Sequence, residues 1–249
     1  MEQLIDIHCH ILPAVDNGSV SMEQTRNMLK IAYEEGITYI IATPHYGAGC
    51  INPDKSELEE KLKKVRQAAR ELNPGFRIEL GNELFYSSDI TEHLRKGKAA
   101  TLAGTRYCLV RFYREEEYEF MRAGLHSLLI QGYYPILSHA ENYQCLYGNY
   151  EGIAQLINLG VYMQLNIKSL LGNPFDSRVR HARRLLRYEM VHFIGTGSRS
   201  DSIRAPMMKE GLRYIESYHG TEIKRQLIEN TRGLLESKKI DRRLYPCFD

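Results

Sequence analysis

Seven short apolar runs recur along this chain at intervals of about 30 residues, each ending in polar residues and each followed by a stretch with helical period. They are LIDIHCH (4–10), ITYIIATPH (37–45), FRIELGNE (76–83), RYCLVRF (106–112), YYPILSHAE (133–141), VYMQLNI (161–167) and VHFIGTG (191–197). Parallel strands need a crossover of a dozen or more residues, usually a helix, and this rhythm leaves room for one each time. Within the intervening stretches Met22, Leu29, Ala32 and Tyr33 share one helical face, as do Leu58, Leu62, Val65 and Ala69. The spacing predicts an α/β fold whose parallel sheet closes, or nearly closes, into a distorted seven-stranded (β/α)7 TIM-like barrel. No Pro/Gly/Ser-rich linker divides the 249 residues, so one domain over 1–249 is expected. It should finish with helices at about 206–218 and 221–236 and a frayed basic tail, SKKIDRR.

Charge narrows the function classes. Lys and Arg total 33 against 31 Asp and Glu, a balance too even for a nucleic-acid partner. No run nears the ~18 apolar residues of a membrane span, and Met1 leads into a polar-flanked strand, so a cytoplasmic protein without membrane insertion is expected. Five cysteines (Cys9, Cys50, Cys108, Cys145, Cys247) in no CxxC spacing read as reduced thiols. Strand alternation points Cys9 away from its two histidine neighbours. In RVRHARRLLR, residues Arg180, Arg183, Arg184 and Arg187 share a face opposite Val179, Ala182, Leu185 and Leu186. That face reads either as solvated surface or as a dock for an acidic or phosphorylated partner.

A barrel of this type keeps its chemistry at the C-terminal ends of the strands, and there this sequence is rich in metal-ligand side chains. The first run ends His8-Cys9-His10, the second Pro44-His45, the third Asn82-Glu83 and the fifth His139-Ala140-Glu141. Residues i and i+2 of a strand share a face, so His8 and His10 can chelate one cation. A lone His-x-His is as readily a pair of buried structural histidines; four strand ends bearing His or Glu together read as a site for zinc, manganese or iron. The remaining histidines carry less. His93, His126, His181 and His219 fall in helical stretches as surface or helix-face residues, and His192 begins the seventh run at the end concerned with stability. Neither a GxGxxG nor a GxxxxGK[ST] loop is present, nor a GxSxG elbow, so nucleotide cradling and serine-hydrolase chemistry lack their motifs.

The order DIHCHILPAVDNGS, ATPH, GNE, YYPILSHAENY and a late IRAP resembles the polymerase and histidinol phosphatase (PHP) superfamily. More narrowly it is similar, from about residue 4 to 236, to bacterial metal-dependent protein-tyrosine phosphatases of capsule and exopolysaccharide synthesis. The resemblance implies three divalent cations, typically manganese, and a phosphotyrosine-bearing partner such as the tail of a bacterial tyrosine kinase. It implies metal ligands at His8, His10, His45, Glu83 and His139, with Arg204 holding substrate phosphate. Against the family pattern, VDDG is Val15-Asp16-Asn17-Gly18 here and VEF is Val110-Arg111-Phe112. HxER is His139-Ala140-Glu141-Asn142, and SDAH is Thr196-Gly197-Ser198-Arg199. Asn17, Arg111, Gly197 and Arg199 thus stand at replaced ligand positions, and Asn142 at a replaced phosphate-binding one. The cation position built on Asn17, His45 and Arg199 keeps only His45. The one built on Glu83, Arg111 and His139 keeps two ligands, and the one on His8, His10, Glu83 and Gly197 keeps three. Fewer than three ions should bind, unless Asp16 or Asp201 supplies a missing oxygen. Reduced phosphatase activity is the first expectation. A phosphotyrosine- or kinase-binding pseudophosphatase and a PHP phosphoesterase for small phosphate monoesters are the alternatives.

Overall fold

The computed structural model describes residues 3–246, so Cys247 lies outside the described residues. The strands are β1 (Leu4–Cys9), β2 (Ile37–Ala42), β3 (His45–Tyr46), β4 (Arg77–Leu80), β5 (Glu83–Phe85), β6 (Tyr107–Arg111), β7 (Tyr134–Leu137), β8 (Tyr162–Asn166) and β9 (Phe193–Gly195). Each of the seven apolar runs forms strand, but the second and third are each broken in two. Pro44, which has no N–H to give a ladder, separates β2 from β3. Gly81 lies in the break between β4 and β5, where a Cβ would come within 2.8 Å of Leu102. Pairing continues across both breaks through Gly81 N to Ala42 O at 2.8 Å and Glu83 N to Pro44 O at 3.1 Å.

All pairings are parallel, in the orders β1-β2-β4 and β3-β5-β6-β7-β8-β9. The sheet returns on itself where β1 meets the chain just past β9, with Gly197 N bonded to His8 O at 2.8 Å and His10 N to Ser198 O at 2.9 Å. The buried Asp6 carboxylate pins that seam, accepting from His8 N at 3.1 Å and Thr196 N at 3.0 Å. Cys9 points away from the histidines, its Sγ 3.0 Å from Ser198 Oγ.

Around the strands run α1 (Met22–Glu34), α2 (Lys55–Leu72), α3 (Ile90–Arg95), α4 (Tyr118–Ile130), α5 (Tyr150–Leu159), α6 (Ser177–Arg187), α7 (Lys209–His219) and α8 (Thr221–Leu235). None of them is long and apolar enough to cross a membrane. The face of α2 is the expected one, whereas α1 buries Thr25, Met28, Leu29 and Ala32 and leaves Tyr33 42% exposed. The arginine face of α6 is partly occupied: Arg183 lies over the Tyr214 ring and bonds Leu170 O at 3.0 Å, while Arg180, Arg184 and Arg187 are exposed.

In β6 to β9 the two-residue period sorts the side chains. Tyr107, Leu109, Ile136, Tyr162 and Phe193 form one cluster, and Cys108, Val110, Leu137, Met163, Leu165 and Ile194 join the larger core toward the helices. Arg111, Ser138 and Gln164 continue the first parity toward the strand ends. The tail does not fray as its composition suggests. The Tyr107 hydroxyl donates to Lys238 O at 2.7 Å and accepts from Ile240 N at 3.1 Å, and Tyr162 Oη donates to Ile240 O at 2.9 Å. Buried phenols need partners, and this strap provides them.

His181 corrects the surface reading of the helical histidines, being only 4% exposed with neither ring nitrogen hydrogen-bonded. His192 is buried too, its Nδ1 accepting from Met163 N at 3.1 Å. Burial, reinforced by the field of Arg184, lowers His181 to about 4; burial and Arg242 lower His192 to about 3. Both groups bind protons more readily unfolded, near 6.5, than folded. Their contribution to stability is therefore complete above pH 6.5 and falls away as pH drops toward 4 and 3. Urea unfolding from pH 4.5 to 7.5 should show that His181→Leu flattens this slope and gains on the order of 1 kcal/mol at the acid end.

A candidate metal and anion site

The barrel mouth gathers its polar side chains around one carboxylate. Glu83 opens β5 directly opposite His45, which opens β3, so the strand register alone sets those two side by side. His45 Nε2 is 2.9 Å from Glu83 Oε2, and His8 and His10 Nε2 are 3.5 and 3.4 Å from the same oxygen and 3.3 Å from each other. His139, just past β7 in a left-handed turn (φ 50), brings Nε2 to 3.7 Å from Glu83 Oε1. Ser138 Oγ donates to that oxygen at 2.6 Å. All five side chains expected to be ligands therefore converge. The donor atoms of His8, Glu83 and His139, and those of His10, His45 and Glu83, each fall within 4.8 Å of one another. Imidazole and carboxylate donors in such groups fit zinc, manganese or iron, and the buried His139 Nδ1 has no hydrogen-bond partner.

Asp16 closes one side. Its Oδ2 accepts from His10 Nδ1 at 2.6 Å and His45 N at 3.0 Å, and its Oδ1 from Gly18 N at 2.8 Å. Gly18 has to be glycine, since a Cβ there would lie 2.3 Å from His10 O. Asp201, the other acid weighed as a substitute donor, instead bonds Gln24 and Asn27 of α1 at 3.1 and 2.9 Å.

Two guanidinium groups reach the same centre. Arg111 Nη1 is 2.8 Å from His45 Nε2 and 3.4 Å from Glu83 Oε2, with its guanidinium 4.4 Å from the Phe85 ring centroid. Arg199 Nη2 is 3.1 and 3.7 Å from those same two atoms, and its Nη1 bonds Asn17 Oδ1. Arg111 and Arg199 thus meet through His45 and Glu83, and Asn17 joins them through Arg199. Gly197 has φ +55, and a Cβ on it would sit 2.8 Å from Asn166 Nδ2 and 3.1 Å from His139 Cε1.

Burial alone would raise Glu83, but the field of His8 and hydrogen bonds from His10, His45 and His8 outweigh it and hold the carboxyl well below its usual range. Asp16 follows the same pattern, with His10 the chief opponent of burial, and is lowered. Burial and then the field of His8 keep His139 well below 6.5, and burial brings Arg199 down to about 10.

Beside His139 the mouth opens into two cavities of about 440 and 540 Å³ that share Arg111, His139, Asn142 and Arg178. Arg204 lines the larger one and donates to Gly197 O at 3.2 Å. Arg114, Lys168 and Arg178 also line this cleft; Arg114 and Lys168 are isolated basic residues that carry no pattern in the sequence, and Arg178 opens the arginine-rich run of α6 one turn before the face it presents to solvent. Gln164 is part of the same site, its Oε1 accepting from His139 N at 3.0 Å and lying 3.3 Å from His8 Nδ1. A glutamine inside the apolar run VYMQLNI was the available signal.

A parallel barrel with imidazole, carboxylate and guanidinium groups at its mouth is of the α/β-barrel class that keeps a metal and anion site at the strand ends. The family model for capsular polysaccharide synthesis, CpsB/CapC, matches residues 4–236, and the chain belongs to that family. It is 28% identical to the tyrosine-protein phosphatase CpsB of Streptococcus pneumoniae, over 95% of this chain and 100% of that protein. It is 26% identical to the tyrosine-protein phosphatase YwqE of Bacillus subtilis, over 96% and 94%. A structure from the work on YwqE and CpsB, described there as unique metal-dependent tyrosine phosphatases, superposes with a TM-score of 0.90 at 26% identity, over 96% of this chain and 97% of that one.

Since Glu83 is the counter-charge to both arginines, Glu83→Gln should cost about 3–5 kcal/mol in chelator-treated protein. Combining it with Arg199→Met should cost at least ~1 kcal/mol less than the sum of the two single changes, measured by urea unfolding. Additivity within about 0.5 kcal/mol would show that Arg199 does not depend on Glu83.

Proposed function

We propose that this protein, as one cytoplasmic barrel domain, binds phosphotyrosine on a protein partner such as a tyrosine-kinase tail and hydrolyses it slowly, with fewer than three divalent cations. One observation carries this reading: Arg111 and Arg199 stand on His45 Nε2 and Glu83 Oε2, within the His10–His45–Glu83 donor group. At intermediate dielectric a dication about 4 Å from a guanidinium is repelled by about 8 kcal/mol, so that group is disfavoured. His8, His139 and the other Glu83 oxygen, adjoined by His10, remain as the favoured position. His8, His139 and Glu83 would hold a manganese, iron or zinc ion there, which would supply Lewis acidity for phosphomonoester hydrolysis. Arg204 holds the phosphate oxygens, a guanidinium being suited to bidentate contact. Asn142, at the mouth of both cavities, offers amide contacts where a charged fork would bind more strongly. Asp16 orients His10 and His45. Should no ion bind, the same guanidinium groups serve a pseudophosphatase that retains phosphotyrosine without turnover.

The test is restoration. Asn17→Asp, Arg111→Glu and Arg199→His, made together, should raise manganese content and phosphotyrosine-peptide turnover at least tenfold, while each alone does little because these residues act as a unit. Gly197 is left alone, since a side chain there must displace Asn166. Rapid turnover by the unmodified chain, unchanged by the triple variant, overturns the proposal. Arg204→Ala should weaken phosphate binding in either background, by roughly tenfold in titration calorimetry.

A further inference from the structure

We infer that the cleft beside His139 takes two anionic groups of one peptide: the phosphotyrosine, and the carboxylate of an Asp or Glu one or two residues away from it. This rests on the phosphotyrosine reading above and adds a sequence preference to it. The larger cavity, with Arg204, is the phosphate side. The smaller one runs from Arg111 and His139 outward to Arg114 and Arg178, over a floor that includes Phe112 and Tyr143, both 3% exposed. Tyr143 is fixed there, its hydroxyl donating to Ser138 O at 2.9 Å and accepting from Phe112 N at 3.2 Å. The floor is therefore apolar and rigid, and the polar work falls to the arginines.

Those arginines have little carboxylate within ion-pair distance, although Glu115, Glu116 and Glu117 follow Arg114 in the chain and Glu141 lines the adjoining cavity. The acid that lines this cavity is Asp176, whose Oδ1 already caps α6 by accepting from Arg178 N at 2.8 Å. Its Oδ2 is 3.7 Å from Arg178 Nη2, a loose contact. Arg114 has no carboxylate within ion-pair distance among the described residues. The outer helices follow another rule: Lys61 with Glu57, Lys64 with Glu60, Arg122 with Glu119 and Arg225 with Glu222 pair at 2.6–2.7 Å. Two under-compensated guanidinium groups on a rigid apolar floor are the chemistry that takes a carboxylate. An extended peptide advances about 3.3 Å per residue, so a side chain one or two positions from the phosphotyrosine spans from one cavity to the other across their shared wall.

Fluorescence anisotropy of three labelled peptides tests this: phosphotyrosine flanked by glutamates, phosphotyrosine flanked by alanines, and unphosphorylated tyrosine flanked by glutamates. The glutamate-flanked phosphopeptide should bind about tenfold tighter than the alanine-flanked one. In the Arg114→Ala/Arg178→Ala variant, checked for folding by circular dichroism, that ratio should fall to within twofold of one. Arg180→Ala/Arg184→Ala, on the outer face of α6, should keep the tenfold ratio, which separates a built subsite from diffuse attraction. Equal affinities of the two phosphopeptides for the unmodified protein, or a ratio that survives loss of Arg114 and Arg178, overturn this inference and leave the phosphotyrosine reading standing. Phosphopeptides that bind no better than the unphosphorylated one overturn both.

Discussion

A carboxylate with no exposed surface sits at the centre of this molecule, and the mouth of the barrel is organised around keeping Glu83 charged there. Removing an ion of that kind from water costs several kcal/mol, which only close opposing charge and hydrogen bonds offset. Three imidazoles, those of His8, His10 and His45, with two guanidinium groups and the Ser138 hydroxyl, meet that cost. They come from the end of β1, the start of β3, the end of β6 and the chain just past β7 and β9, so the barrel has to close for the charge to be tolerated. The seam between β1 and the chain after β9 matters for the same reason, since it carries His8, His10 and Arg199 to Glu83.

The two ends of the barrel divide the work. At the lower end aromatic rings fill the interior, with Tyr107 and Tyr162 centroids 5.4 Å apart and Tyr162 and Phe193 5.7 Å apart, and the chain after α8 satisfies their hydroxyls. The upper end is free to be polar because stability is supplied below, which is the usual division in barrels of this kind. Asn17, Arg111 and Arg199 form one contact set. An amide at Asn17 accepts from Arg199, and the face of Phe85 receives Arg111, so each guanidinium that stands among the metal-type donors has a neighbour suited to it. Changing one of them alone strands its neighbour, which is why residues in contact like these are not expected to act additively.

Most of the fold was legible because it rests on local periodicities. The spacing of the apolar runs located every βα unit, and alternation within RYCLVRF distinguishes Tyr107 and Leu109 from Cys108 and Val110. What the periodicities missed depends on neighbours distant in the chain. SKKIDRR has the composition of a loose tail, yet Tyr107 and Tyr162, more than 70 residues away, hold it. The period of α6 puts His181 near its apolar face, but that it lies buried with neither ring nitrogen paired is decided by the surrounding packing.

For the site, residue identity and strand position sufficed to bring His8, His10, His45, Glu83 and His139 to one end of the barrel, since parallel strands with helical crossovers have only one arrangement of their C-terminal edges. The grouping of these side chains, and what stands among them, was decided by the tertiary structure. Asp16 returns to His10 and His45 while Asp201 turns to α1. Arg111 and Arg199 meet on a single His45 nitrogen although 88 positions separate them in the chain. Sequence determines which charges a chain carries and which strand end each one occupies. Distances of a few ångströms between them, on which Coulomb energies depend, exist only once the barrel has closed.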